Sequence, residues 1–68
     1  MKNNLGRQVR ELRLSLNMSQ AVLADEAETR RALISEIERG EANPTLDSIL
    51  SIAIALGVDP TELFGSRR

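Results

Sequence analysis

Residues 19–40 read SQAVLADEAETRRALISEIERG, and this stretch decides the fold. Ser19 is a suitable N-cap for a helix that runs to about Glu26. After a connection of only a few residues, a second helix is predicted from about Arg30 to Arg39. Its apolar side consists of Leu33, Ile34 and Ile37. Because the connection is so short, these two helices must cross at a steep angle.

Three further helices surround this pair, so the sequence predicts an all-α fold of five helices. The first is expected over about 4–16 and the fourth from the N-cap Thr45 to Leu56, while Asp59 and Pro60 begin a short fifth. The fifth helix is expected to carry Leu63 and Phe64 toward the core. The positions predicted to face inward are Leu5, Val9, Leu12 and Leu16 on the first helix and Leu46, Ile49, Leu50, Ala53 and Leu56 on the fourth.

Composition excludes several functions for a chain of 68 residues. It contains no cysteine and no histidine, so we expect no metal site, no cofactor and no enzymatic activity. The longest apolar run, residues 52–56, is too short to span a bilayer and no signal peptide is recognised, which favours a bacterial or phage-type cytoplasmic protein. The length fits one domain, with no evident site for a small-molecule effector.

Charge is distributed unevenly although the net charge is −1. Residues 1–20 carry four cations against Glu11, a balance of +3, whereas residues 21–41 carry six acids against three arginines, a balance of −3. A protein of this kind would bind DNA through a few placed arginines and backbone amides rather than as a general polycation.

Ordered sequence blocks extend over residues 6–64: VRELR (9–13), MSQ (18–20), LA (23–24), ISEIERG (34–40), NPTL (43–46), ALGV (55–58) and LF (63–64). With these blocks the chain resembles the Cro/CI-type (XRE, lambda-repressor-like) family of helix-turn-helix DNA-binding domains. The resemblance implies a compact five-helix domain over residues 1–68, with the motif core at about 19–38 in helices two and three. It also implies that the third helix enters the major groove of DNA.

The same resemblance implies roles for individual residues. Base contacts are implied for Arg30, Arg31, Ala32, Ser35 and Glu36, and phosphate contacts for Gln20 and Asn43. Arg10 is a further candidate for a phosphate contact. The chemistry fits, because arginine bonds guanine bidentately, glutamate accepts from cytosine and a methyl group meets thymine. Arg13 and Glu38 match a family pair that forms a structural salt bridge between helices one and three, and no base contact is expected from them.

Two positions between the second and third helices depart from the family pattern. Glu28 occupies a turn position that often holds glycine, and a left-handed conformation there would cost about 1 kcal/mol. Arg30 aligns with the Ser or Thr that usually caps the recognition helix, and the alternative is that Thr29 caps it and shifts its start by one residue.

Val22 and Ile54 are apolar where family members usually carry polar residues. An exposed Ile54 near Leu63 and Phe64 suggests a patch on helices four and five that forms a two-fold dimer interface, and the alternative is a single exposed aliphatic side chain. The favoured function is therefore a homodimeric, sequence-specific regulator of transcription, of repressor or controller type, that reads a pseudo-palindromic operator in double-stranded DNA. The alternative is a protein-interaction module that kept the fold and lost DNA binding.

Overall fold

The structure is a computed structural model, and it describes residues 4–63. Over this range the chain forms five helices and no strand, so the all-α prediction is confirmed. The helices are α1 (Asn4–Ser15), α2 (Gln20–Glu26), α3 (Arg31–Glu38), α4 (Leu46–Leu56) and α5 (Pro60–Leu63). Helix α3 packs against α1 and α2, while α5 packs against α1 and α4. No helix of the described residues is long and apolar enough to cross a membrane.

Helices α2 and α4 begin at the N-caps that the sequence predicts, Ser19 and Thr45. The Ser19 hydroxyl accepts a hydrogen bond from the Val22 amide at 3.0 Å, and the Thr45 hydroxyl accepts one from Ser48 at 3.1 Å. Each bond satisfies one of the backbone N–H groups that a helix leaves unpaired at its start. Helix α3 lacks such a cap: its N-cap is Arg30, with no capping side-chain bond. The alternative in which Thr29 caps this helix is therefore wrong.

The first four helices end in the same way. One or two residues beyond each helix the backbone takes a positive φ, at Asn17 after α1, Glu28 after α2, Gly40 after α3 and Gly57 after α4. The next amide then bonds back five residues, as from Thr29 to the Ala24 carbonyl at 2.9 Å, which is the bonding pattern of a Schellman motif. Glu28 has a φ of 56° and so adopts the strained conformation that the turn requires.

Within residues 4–63 the core lies between the helices and is aliphatic. It consists of Val9, Leu23, Ala24, Ala27, Ile34, Ile37, Ile49, Ile52, Ala53, Leu56 and Leu63. Two inward assignments on α4 are wrong, because Leu46 and Leu50 are exposed while Ile52 is buried. Residues 49, 52, 53 and 56 form one stripe at helical spacing, whereas residues 46, 50 and 54 lie roughly 110° further around the axis.

Leu16 is also misassigned to the core, since it is 47% exposed. Helix α1 ends at Ser15 and the chain turns away at Asn17, so Leu16 leaves the apolar stripe of the helix. The opposite end of α1 is more tightly packed. A Cβ added to the buried Gly6 would lie 2.2 Å from the Ile37 carbonyl oxygen. This glycine therefore permits the close approach of α1 to the C-terminal turn of α3.

Candidate nucleic-acid interface

Helix α3 presents two different faces. Ile34 and Ile37 are buried against the core, with exposures of 0% and 2%. On the outer side Arg30, Arg31 and Ala32 are exposed, and Ser35 and Glu36 are half-buried. The structure thus places all five candidate base-contact residues on α3 or at its N-cap, along a surface that is open to solvent at its N-terminal end.

A bidentate salt bridge fixes α3 to α1 from behind. Arg13 Nε donates to Glu38 Oε2 at 2.7 Å, and Arg13 Nη2 donates to Oε1 at 3.0 Å. A third bond runs from Arg13 Nη1 to the Met18 carbonyl at 2.8 Å. The two side chains are only 9% and 5% exposed, so water hardly screens the pair. This arrangement sets the position of α3 relative to α1 and contributes no group to the outer face.

The ionisation of this pair follows from its surroundings. Burial raises the pKa of Glu38, but hydrogen bonds from Arg13 and Gln20 and the charges of Arg13 and Arg10 lower it by more, so the pKa lies below the ordinary value of 4.5. The hydrogen bond to Glu38 likewise raises the pKa of Arg13, against the effect of desolvation. Both groups are therefore charged at neutral pH.

Gln20, the first residue of α2, belongs to the same network. Its Nε2 donates to Glu38 Oε1 at 3.1 Å, and the residue is half-buried. An amide nitrogen carries two N–H groups, so one donor remains for a phosphate after the bond to Glu38 is made. The amide is oriented by Glu38 rather than free to rotate.

Two arginines lie beside this network. Arg10, on the exposed side of α1, forms no ion pair within residues 4–63. Arg39, the C-cap of α3, donates to the Ser35 hydroxyl and forms a salt bridge with Glu41 at 3.0 Å. Asn43 is exposed in the loop that joins α3 to α4. Gln20 and Arg10 thus line a cleft together with Ser35 and Glu38 of α3, and Asn43 lies in the loop that follows this helix.

An apolar surface lies on α4. Ile54 is 79% exposed, and Leu46 and Leu50 share its side of the helix with 66% and 38%. Leu63 was predicted to join Ile54 in a dimer interface, but it is fully buried inside the monomer and does not reach the surface. Phe64 lies outside the described residues. The exposed surface of this region is therefore a stripe along α4, which we call the α4 stripe and define as Leu46, Leu50 and Ile54.

Comparison with known proteins gives a family for this arrangement. A family model described as helix-turn-helix matches residues 9–63. The chain belongs to the helix-turn-helix family. This confirms the resemblance inferred from the ordered blocks of the sequence, and the five-helix fold that it implied.

Proteins similar in sequence to this chain include a control protein and a repressor protein. The chain is 50% identical to the control protein C.BamHI of Bacillus amyloliquefaciens, with 93% of this chain and 84% of that protein covered. It is 30% identical to the immunity repressor protein of Bacillus phage phi105, over 90% of this chain and 42% of the repressor. Among solved structures, the restriction-modification controller protein C.AhdI from Aeromonas hydrophila matches with a TM-score of 0.87 and 39% identity, covering 90% of this chain and 92% of that one.

Sequence reasoning missed two residues of this helix-turn-helix site. Gly6 was not singled out, although an isolated glycine within a helical pattern often marks a close approach of two backbones. For Arg39 the sequence predicts no separate role. Its spacing of four residues from Ser35 places both on one side of α3, and this spacing could have predicted their contact.

Proposed function

We propose that residues 1–68 act as one domain that binds double-stranded DNA in a sequence-specific way and regulates transcription, without enzymatic activity. The two arginines at the start of α3 carry this proposal. Arg30 and Arg31 are exposed, and neither forms an ion pair with another residue of 4–63. Cations at a helix N-terminus are opposed by the helix dipole, so their placement is best explained by an anionic partner.

The shape of the domain fits a groove in that partner. The outer face of α3 combines the arginines with Ala32, Ser35 and Glu36, which between them offer donors, a methyl group and an acceptor to base edges. The Arg13–Glu38 pair and the closely packed Gly6 hold the helix rigidly from the opposite side. A short rigid helix with a varied outer face is the recognition element of helix-turn-helix regulators.

The proposed role is that of a controller in the bacterial cytoplasm. C.BamHI is a control protein and C.AhdI is a restriction-modification controller protein, and both are covered over most of their lengths. We therefore propose that this protein regulates genes of a restriction-modification system. The similarity to a phage immunity repressor indicates that repression is within the range of this fold.

We further propose that the functional unit is a homodimer formed through the α4 stripe. Leu46, Leu50 and Ile54 are exposed aliphatic side chains on one side of one helix. Burying such a stripe against its two-fold copy removes apolar surface from water and gives each dimer two recognition helices. These helices would bind half-sites about 34 Å apart, and the operator would be pseudo-palindromic.

The deciding experiment selects bound duplexes from a random pool and then measures their affinity as a function of salt. We expect enrichment of two inverted half-sites, with log K falling linearly with log salt concentration. Arg31→Ala should cost about 1–3 kcal/mol and relax the preference at one base pair, whereas Arg31→Lys keeps the charge and should lose mainly the base preference. If no duplex is enriched, the alternative of a protein-interaction module is favoured.

A further inference from the structure

Arg39 lies at the end of α3 with a guanidinium that two neighbours hold in place. Its Nη1 donates to the Ser35 hydroxyl, one turn earlier on the helix, and its Nε donates to Glu41 Oε1 at 3.0 Å. Ser35 is a candidate base contact. The guanidinium therefore lies beside the outer face of α3 rather than extended into solvent.

The same guanidinium borders an open cleft between α1, α2 and α3. The cleft has a volume of about 390 Å³ and is lined by Arg10, Arg13, Gln20, Ser35, Glu38 and Arg39. Glu38 is neutralised by Arg13, with which it forms the bidentate salt bridge. Arg10 and Arg39 therefore leave the lining with two positive charges in excess, and an anion entering the cleft would meet both of them.

Glu41 is the anion that Arg39 meets in the free protein. The side chains of Arg39 and Glu41 are 53% and 60% exposed, so this ion pair is screened by water and contributes little to stability. A phosphate accepts the same kind of charge-assisted hydrogen bonds from arginine as a carboxylate does, and both anions are often bound by two parallel bonds. Glu41 can thus be replaced at Arg39 without loss to the fold.

We propose that Arg39 is a DNA phosphate contact and that Glu41 is its internal counter-ion, which a phosphate of the bound duplex displaces. This inference rests on the proposed function and extends its binding surface to the C-terminal end of α3. Because Glu41 must be displaced at every duplex, it lowers affinity for any sequence. Affinity for the operator is then sustained by the base contacts of α3, which an unrelated duplex does not provide.

The test compares Arg39→Ala, Glu41→Gln and the double variant on a selected operator and on an unrelated duplex, between about 50 and 200 mM salt. Glu62→Gln on α5 is the matched control, since it removes the same charge from an exposed residue of a helix that packs on α1 and α4. Thermal melts followed by circular dichroism establish that each variant is folded. All affinities are measured on the full chain.

Arg39→Ala should weaken binding to both duplexes. It should also reduce the magnitude of the slope of log K against log salt concentration by about 0.9. The ratio of the parent's affinity to that of the variant should therefore fall about 3.5-fold when the salt concentration rises fourfold. Glu41→Gln should strengthen binding to both duplexes, and this gain should vanish in the Arg39→Ala background. Glu62→Gln should change neither affinity.

Three results would overturn the inference alone. The first is an unchanged salt slope in Arg39→Ala. The second is a loss of affinity in Arg39→Ala that is confined to the operator, which would indicate a base contact. The third is a gain of affinity from Glu41→Gln that is equally large in the Arg39→Ala background. If the parent protein binds no duplex at 50 mM salt, the proposed function fails and this inference fails with it.

Discussion

Removal of the Glu38 carboxylate should destabilise this domain severely. In Glu38→Ala the Arg13 guanidinium, 9% exposed, loses two of its three hydrogen bonds and keeps only the Met18 carbonyl. Breaking a buried ion pair by removing one partner costs about 3–5 kcal/mol, because a charge remains buried without its counter-ion. A domain of 68 residues is stable by about 3–10 kcal/mol in total. The variant should therefore lose a large part of its stability.

Replacing both partners should cost much less than replacing one. In Arg13→Met with Glu38→Leu no charge is left buried, and side chains of similar volume fill the space, so stability should return close to that of the parent protein. Urea unfolding followed by circular dichroism is the suitable assay, since the chain contains no Trp or Tyr for fluorescence. The single, reciprocal and double variants together form a thermodynamic cycle that isolates the energy of the pair.

Acidification gives an independent measurement on the same pair. The folded pKa of Glu38 lies below its ordinary value of 4.5. The ionised carboxylate therefore contributes stability that is complete above about pH 4.5 and is lost as the pH falls through the folded pKa. Glu38→Gln should remove this part of the acid dependence. Two results of the urea experiment would refute the argument that the unpaired buried charge causes most of the loss of stability. One is a cost of less than about 1 kcal/mol for Glu38→Ala, and the other is a double variant that is as unstable as Glu38→Ala.

Three further substitutions test the packing, the turn and the proposed dimer, and a fourth, Ile52→Ala, is the core control for the dimer variant. Gly6→Ala should destabilise the domain by about 2–3 kcal/mol in urea melts, because the new methyl group would meet the Ile37 backbone rather than a side chain that can move. Glu28→Gly should instead stabilise it by about 0.5–1 kcal/mol, since glycine adopts a φ of 56° without strain, and an unchanged midpoint would contradict this. Ile54→Glu should convert a dimer to a monomer in sedimentation while leaving the fold intact, whereas Ile52→Ala should cost about 2–5 kcal/mol from the core. A dimer that survives Ile54→Glu would exclude the α4 stripe as its interface.

The beginnings and ends of the helices could be predicted from the sequence because local chemistry decides them. Ser19 and Thr45 cap their helices through bonds to amides three residues away, and Asn17 and Gly57 take the left-handed conformation that their residue types favour. Each of these features needs only the neighbouring residues of the chain. For the N-cap of α3 the sequence offers both Arg30 and Thr29, because Arg30 has no side chain that caps a helix.

The inward face of α4 could not be predicted in the same way. The helix reads LDSILSIAIAL and is apolar almost all around, so more than one stripe satisfies helical periodicity. The choice between Leu50 and Ile52 depends on where α2 and α5 pack, which is a tertiary contact. Leu63 is buried, as the prediction that the fifth helix carries it toward the core requires, because α5 folds back against α1 and α4. Its predicted place in the dimer interface is therefore wrong.

In the candidate site, Arg13 and Glu38 are 25 residues apart in the sequence, so residue type and spacing alone could not predict their contact. Only the resemblance to a family suggested this pair. The outward direction of Arg31 and Ala32 did follow from periodicity, because Ile34 and Ile37 fix the opposite side of α3. The contact from Arg39 to Ser35 is local, but nothing in the residue types shows that Glu41 would hold the same guanidinium.

In the proposed function, stability and base recognition are served by opposite sides of α3, so the two sides should vary differently among related chains. The inner side is fixed by Ile34, Ile37 and the Glu38 carboxylate, which tolerate little change because each is buried against another helix. On the outer side, Arg31 and Ala32 are exposed to solvent. Substitutions there can alter base preference at small cost in stability, since surface changes typically stay within about 0.5 kcal/mol. Ser35 is the exception, because its hydroxyl accepts a bond from Arg39. A change of base preference through Ser35 should therefore also disturb Arg39, and with it the affinity for every duplex.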